Sequence, residues 1–427
     1  MRIEILTIGD ELLLGFTIDT NAAHLARQLA AMGIEVARRG SVGDSAEEIA
    51  AGVREAIERT GAVITTGGLG PTSDDKTKDA IAELFGRGMY LDEEHLAWMR
   101  ERWRTLFGRE MPEINRQQAM MPEGSRKLVN RHGSAPGVWL EDDRGRWVAM
   151  LPGVPREMRG MLADELLPLL GERLARSGGG GTVVASRLLR TTGVGESAVA
   201  EMLGDIAKGF PGMPLASLPG YEGTDLRLTL RGRSAEEAER TLDGAIEKLR
   251  ARLGDAVYGD GGTDLAAVVL DLARENGLRI AVAESCTGGM LGARLTAIPG
   301  SSDVVLGGVI AYANDVKERL LDVPAEAIAR AGAVSEEVAR AMASGVRARL
   351  DAEIGIAITG IAGPGGGTPD KPVGTVWTAV DVAGDVTARR SIYVGDREEI
   401  RQRAAQGALN MVRLAVGRAG SGVGGRG

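Results

Sequence analysis

Short apolar runs of strand-forming residues alternate with amphipathic stretches over the first third of the chain. The run "IEILTIG" (3–9) has the continuous hydrophobicity of a buried strand. "TNAAHLARQLAAMG" (20–33) opens on polar residues, repeats its apolar positions at helical spacing and ends on glycine. "IEVARRGSVG" reads as a strand, "SAEEIAAGVREAIERTG" as a capped helix with Glu47 and Glu48 in its first turns, and "AVITTGG" as a third strand. Such a βαβαβ run predicts a parallel sheet with right-handed crossovers and puts ligand sites at the carboxyl ends of its strands.

The texture changes near residue 171. "RSGGGG" (176–181) predicts a flexible break. After it come "TVVASRLLRTTG", a helix starting at "GESAVAEML", the strand "TDLRLTLRG" and the long helix "SAEEAERTLDGAIEKLRARLG" (234–254), together a small α+β module. "YGDGGTDL" (258–265) predicts a linker into a second α/β region. There the strands "RIAVAES", "VVLGGVIAYA", "IGIAITG" and "VGTVWTAVDV" alternate with the helices "LAAVVLDLARENG", "GGMLGARLTA" and "SEEVARAMASGVRARL". The expected division is 1–170, 171–257 and 258–416, followed by a low-complexity tail, 417–427, expected to be disordered.

Composition narrows the setting. At 427 residues several domains are expected, and no run of about 20 apolar residues interrupts the pattern. The opening "MRIEILTIGDELLLG" carries acids inside its apolar run, unlike a secretory leader, so a cytoplasmic protein without membrane contact is expected. A net charge of −8 argues against nucleic acid as a partner. The single cysteine, Cys286, rules out an internal disulfide and any all-cysteine zinc site. Only seven lysines stand against forty-four arginines, which singles out each lysine as a group able to lose its proton when desolvated.

In the first domain, "TTGGLGPTSDDKTKDA" (65–80) follows the third strand and leads into a helix. Gly67 and Gly68 would let the backbone approach a ligand, Thr72 or Ser73 could cap the helix, and its free amides would suit a phosphate. Asp74, Asp75 and Asp79 add carboxylates at the same end, where Mg²⁺ bridging to phosphate would be at home, and Asp10 and Glu11 follow the first strand. The alternative is that these acids merely favour helix starts and that Lys76 and Lys78 are solvated.

In the last domain, Ser285, Cys286 and Thr287 sit where "RIAVAE" ends and a helix begins. Alternation sends neighbouring side chains to opposite faces, so Ser285 and Cys286 should not share a pocket, and a small buried thiol is an ordinary core residue. His24, His95 and His132 all lie in the first domain, so no Ser-His or Cys-His pair can form within this one. Lys317 closes "YANDVK", just after a strand, and with Tyr312 could reach the sheet end that holds Ser285. On spacing alone, Ser285 as a helix cap and Lys317 as a solvated residue remain open.

These motifs carry a family resemblance. "GDELLLG", "TTGGLGPTSDDKTKDA", "GSAPG" (133–137) and "LPGVPREM" (151–158) resemble, in this order, the N-terminal domain of the CinA family, related to the MoaB/MogA molybdopterin-binding fold. "AESCTGG", "AYANDVKERLLDV", "ITGIAGPGGGTPDKPVGTVW" and "GDREEIR" resemble its C-terminal domain, the PncC type of nicotinamide mononucleotide (NMN) deamidase. The middle segment corresponds to a KH-like insert, but its "GVGE" (193–196) misses the GXXG clamp of nucleic-acid-binding KH modules.

The resemblance implies an α/β architecture with a KH-like middle and hydrolysis of NMN to nicotinate mononucleotide and ammonia, in pyridine-nucleotide salvage. Ser285 would be the nucleophile, assisted by Tyr312 and Lys317, with no cofactor for this step. Candidate oxyanion donors are the amides of Thr287, Gly288 and Gly289 or those of Thr359 and Gly360, and Arg397 would meet the phosphate unless it is only a surface arginine. For the first domain it implies a Mg²⁺-assisted ADP-ribose pyrophosphatase, with Gly67, Gly68 and Asp10 at the ligand and Asp74 and Asp75 at the metal. The alternatives are that only this pyrophosphatase is active, or that the chain is a noncatalytic binding protein linked to competence or DNA damage. Homo-oligomers, dimers first among them, are expected by analogy.

Overall fold

The computed structural model describes residues 1–176 and 183–422. They form two compact units: Met1–Ala185 with Leu230–Arg240, and Ser186–Thr229 with the residues from Thr241 onward. Most of the glycine-rich break expected at 176–181 lies outside the described residues.

The first unit is built on strands β1 (Arg2–Ile8), β2 (Glu35–Val42), β3 (Ala62–Thr66), β4 (Arg126–Leu128), β5 (Gly137–Glu141) and β6 (Trp147–Leu151), in the order β2-β1-β3-β6-β5-β4. Helices α1 (Thr20–Ala31), α2 (Ala46–Thr60) and α3 (Thr77–Leu84) make the crossovers. Ser45 caps α2 by accepting the Glu48 amide at 3.2 Å. Strand alternation divides the core in two: Ile3, Ile5 and Ile64 pack with Leu25 and Leu29 of α1, while Leu6, Ile8 and Val63 pack with Ile49 and Val53 of α2. The expected parallel sheet is correct for β2, β1, β3 and β6, but β5 and β4 continue it antiparallel. Only residues 142–146 join β5 to β6, far too few for a parallel crossover.

Farther along the chain, β7 (Val183–Thr191), β8 (Gly209–Phe210), β9 (Met213–Pro219), β10 (Thr224–Arg233) and β11 (Val257–Asp260) form a sheet in the order β8-β9-β10-β7-β11. Helices α4 (Glu196–Leu203) and α5 (Ala235–Leu253) accompany it. The start of the expected linker at 258–265 is strand: β11 pairs antiparallel with β7. The third sheet comprises β12 (Ile280–Glu284), β13 (Val305–Ile310), β14 (Ile354–Gly360), β15 (Thr375–Val382) and β16 (Asp385–Ile392), ordered β13-β12-β14-β15-β16. Its helices include α6 (Leu265–Glu275), α7 (Met290–Thr296), α8 (Asn314–Leu321), α9 (Glu336–Arg349) and α10 (Arg397–Gly422). A two-residue turn, Ala383 and Gly384 with φ of 51° and 98°, forces β15 and β16 antiparallel.

The tail expected to be disordered from 417 is helical through Gly422, and residues 423–427 lie outside the described residues. Val412 and Val416 are buried in the core of this domain, so α10 is packed as far as the residue before that tail. Within the second unit the middle module is tied to the last domain by polar contacts. Gln406 Nε2 donates to Thr192 Oγ1 at 3.1 Å, and Arg294 bridges Glu222 and Asp264 at 3.3 and 3.1 Å. No helix among the described residues is long and apolar enough to cross a membrane.

Candidate active site

β12 lies between β13 and β14 and runs parallel to both, with Glu284 opposite Ile310 and Ile358. Three carboxyl ends therefore open side by side, and this brings together Ser285 after β12, the turn from Ala311 to Lys317 after β13, and the end of β14. Lys317, in the second turn of α8, points inward and is 1% exposed. Its Nζ donates to the carbonyls of Ala311 and Tyr312 at 2.8 and 3.2 Å and to Ser285 Oγ at 3.3 Å. The carbonyls hold the amine in place, while burial lowers its pKa from the ordinary lysine value. A lysine in this setting can give up its proton, and an arginine could not.

Two of the three expected catalytic groups thus meet. The Tyr312 side chain does not complete the relay in this arrangement: its backbone carbonyl touches Lys317, but the residue is 61% exposed and its hydroxyl accepts a hydrogen bond from Arg397 Nη2 at 3.1 Å. Arg397 also donates Nη1 to the Gly363 carbonyl at 2.6 Å, linking the Gly/Pro loop to Tyr312 rather than standing free on the surface. Cys286 faces the other way, into an apolar core with Leu291, Ile358 and Val376. Burial pushes its thiol up to about 11, so it is protonated at neutral pH and is a poor nucleophile.

The expected oxyanion donors are only partly available. The Gly288 amide donates to the Ser285 carbonyl at 3.1 Å and the Gly289 amide to Glu284 Oε2 at 3.1 Å, so both are committed within the turn. Thr359 is buried and donates its hydroxyl to the Ala333 carbonyl. A Cβ on Gly360 would lie 2.7 Å from Val376 Cγ2 and 3.1 Å from Cys286 Sγ, so close packing requires this glycine. Thr287 is fully buried, and its hydroxyl has no partner among the described residues.

Sequence reasoning missed Glu284. This carboxylate is 1% exposed and accepts three amides at the start of α7: Gly289 at 3.1 Å, Leu291 at 3.1 Å and Gly292 at 2.8 Å. It anchors the turn that carries Ser285 and neutralises the positive end of the helix. An acid closing an otherwise apolar strand, just ahead of a helix start, was the available signal.

In the first unit, the carboxyl ends of β1, β3 and β6 border a cavity of about 410 Å³, lined among others by Glu11, Gly67, Gly68, Asp74, Asp75 and Gly153. The glycines are required by packing: a Cβ on Gly67 would sit 2.2 Å from the Ile8 carbonyl oxygen, and one on Gly68 2.1 Å from Thr77 Oγ1. Asp10 turns away, accepting the Asp44 amide at 3.3 Å, and Glu11 takes the place expected of it. Helix α3 begins at Thr77 with no side-chain cap, so Thr72 and Ser73 do not cap it. Thr72 instead donates its backbone amide and hydroxyl to Asp75, which also accepts the Gly70 amide.

Both Asp75 oxygens are therefore used inside the loop, and Asp74 and Asp75 do not form a free ligand pair. Among the described residues no group of three or more His, Cys, Asp or Glu side chains converges as a cation site. Lys78, one alternative for which was solvation, is 3% exposed and donates to the carbonyls of Gln117, Gln118 and Met120 at 3.1, 2.9 and 2.8 Å.

Fold and site together define a protein of three α/β modules, a molybdopterin-binding-type domain first and a Ser-Lys domain last. Family models described as "Probable molybdopterin binding domain", "Damage-inducible protein CinA KH domain" and "CinA C-terminal domain" match residues 4–172, 186–259 and 262–416. A CinA-like protein of Gemmatimonas aurantiaca is 64% identical over 98% of this chain and 97% of its own length. Another from Desulfovibrio desulfuricans is 44% identical over 97% and 96%. A crystal structure of the competence/damage inducible protein CihA from Agrobacterium tumefaciens shares 41% identity, covering 36% of this chain and 93% of that one, with a TM-score of 0.35. The chain belongs to the CinA family.

Proposed function

We propose that the last domain is an amide hydrolase that converts NMN to nicotinate mononucleotide and ammonia. The observation that carries this reading is the buried Lys317 amine 3.3 Å from Ser285 Oγ at the meeting of three strand ends. The resemblance of the motifs to NMN deamidases supplies the substrate. Neutral Lys317 takes the Ser285 proton as Oγ bonds to the carboxamide carbon, and the carbonyl π pair moves onto oxygen. With Gly288 and Gly289 committed, the amides of Cys286 and Thr287 are the donors on this turn for that oxyanion. Lys317 then returns the proton to the leaving nitrogen, the C–N bond breaks and ammonia departs. Water adds to the acyl-serine with Lys317 again as base, releasing the carboxylate product. Arg397 would orient the phosphate, and Tyr312, held by Arg397, would border the substrate rather than relay the proton.

Ammonia release from NMN by the whole chain tests this. Ser285→Ala should lower turnover by about three orders of magnitude or more, and Lys317→Ala by about two to four. Full activity of Ser285→Ala would refute the mechanism. Formation of AMP from ADP-ribose with Mg²⁺, without action on NMN, would favour the first-domain reading, which rests on the cavity bordered by Gly67, Gly68 and Asp74. Inactivity in both assays would favour a binding protein of the competence/damage-inducible kind.

A further inference from the structure

The second unit contains a cavity of about 330 Å³ that includes none of Ser285, Tyr312 or Lys317. One wall is the loop Thr192–Gly195 with the start of α4, a second is Tyr221 and its neighbours, and the third is the face of β15, β16 and α10 bearing Arg389, Tyr393, Arg403 and Asn410. Three observations make it a built site for an anion.

First, Arg389, exposed on β16, and Arg403, half-buried on α10, have no carboxylate partner among the described residues. Arg403 Nε is buried without a hydrogen-bond acceptor, and its guanidinium lies 5.9 Å from the centre of the Tyr221 ring. The carboxylate of Glu222, which also lines the cavity, is already bridged to Arg190 and Arg294. Second, Asn410 is 7% exposed, and its Oδ1 accepts both Nε and Nη2 of Arg413. Its Nδ2 is left as a donor on the cavity wall beside Gly193, where an added Cβ would lie 2.8 Å from it. Third, α4 starts at this wall behind Gly195 with no side-chain cap, so no side chain accepts its first amides.

We propose that this cavity binds a phosphomonoester of mononucleotide size. Arg389, Arg403, Asn410 Nδ2 and the first amides of α4 take the phosphate, and the Tyr221 ring lies against the rest of the molecule. The volume is at the lower end for small-molecule sites, which favours a mononucleotide over a dinucleotide. Glu196, in the first turn of α4, sits on the rim and disfavours a second negative group there.

The test is calorimetric titration of the whole Ser285→Ala chain with AMP and with ribose 5-phosphate, using adenosine as the phosphate-free control. Both phosphates should bind saturably and adenosine should not. Replacing Arg389 and Arg403 together by glutamine should weaken binding about tenfold or more. Gly195→Asp separates binding from folding. An added Cβ there meets nothing within 4 Å and the backbone is already extended, so aspartate caps α4 while putting a negative charge where the phosphate would lie. This variant should melt no lower than the parent yet lose phosphate binding. Unchanged affinity in Gly195→Asp, adenosine binding as tightly as AMP, or no saturable binding of either phosphate at millimolar concentration would overturn the proposal.

Discussion

Glu284→Gln tests whether one buried carboxylate holds the nucleophile turn. In the native chain Oε2 accepts the Gly289 and Leu291 amides and Oε1 accepts the Gly292 amide. Glutamine keeps the shape but offers one oxygen. If that oxygen stays with Gly289 and Leu291, the new NH₂ group faces the Gly292 amide, donor against donor. An unsatisfied buried donor costs about 1–3 kcal/mol, and the two remaining bonds weaken as the acceptor loses its charge. The expected loss is about 2–4 kcal/mol, concentrated at the turn and the start of α7. Native-state hydrogen exchange read by mass spectrometry on the segment 284–296 should show protection falling by about thirtyfold or more, with little change in the first unit. Ammonia release should fall as well, because Ser285 follows the residue that was changed. Unaltered exchange across 284–296 would refute the argument, since it would mean that the carboxylate does not anchor these amides.

The rate of ammonia release should rise with pH along a limb whose midpoint lies below the ordinary lysine value, because burial lowers the Lys317 pKa and the neutral amine is the active form. Lys317→Arg should be inactive at every pH, and an ascending limb preserved in that variant would remove Lys317 as the base. Cys286→Ser should keep most of its activity, and iodoacetamide should leave native Cys286 unmodified at neutral pH, since the thiol is buried and pushed up to about 11; rapid alkylation accompanied by inactivation would contradict this. Lys78→Met should destabilise the first unit by about 2–4 kcal/mol in urea unfolding, because three carbonyls lose their donor; an unchanged midpoint would mean that water replaces it.

Simple rules narrowed the sequence to Ser285 and Lys317 but left a helix cap and a solvated lysine open, and the family resemblance was needed to choose the pair. Strand alternation separated Ser285 from Cys286, the histidines lay in another domain, and a parallel α/β pattern places strand ends together. Residues whose role depends on long-range hydrogen bonding were not legible in this way. Tyr312 stands at the expected distance from Lys317 in sequence, yet its hydroxyl goes to Arg397, eighty-five residues away. Asp74 and Asp75 look equivalent as neighbours, and only the fold of the loop shows that Asp75 is held by Gly70 and Thr72. The antiparallel edge strands escaped because their pairing is set by the length of a connection rather than by a hydrophobic period. The last turns of α10 escaped because the glycine-rich composition from residue 417 onward carries no helical pattern of apolar positions.

The burial of Cys286 also makes the chain a convenient host for site-specific labels. With one thiol in the whole sequence, and that one shielded and protonated, a cysteine introduced on the surface would be the only group to react with a maleimide under native conditions. Val394 is 83% exposed and follows Tyr393 on the rim of the arginine-lined cavity, so Val394→Cys would carry a fluorophore beside that space without altering the unlabelled background.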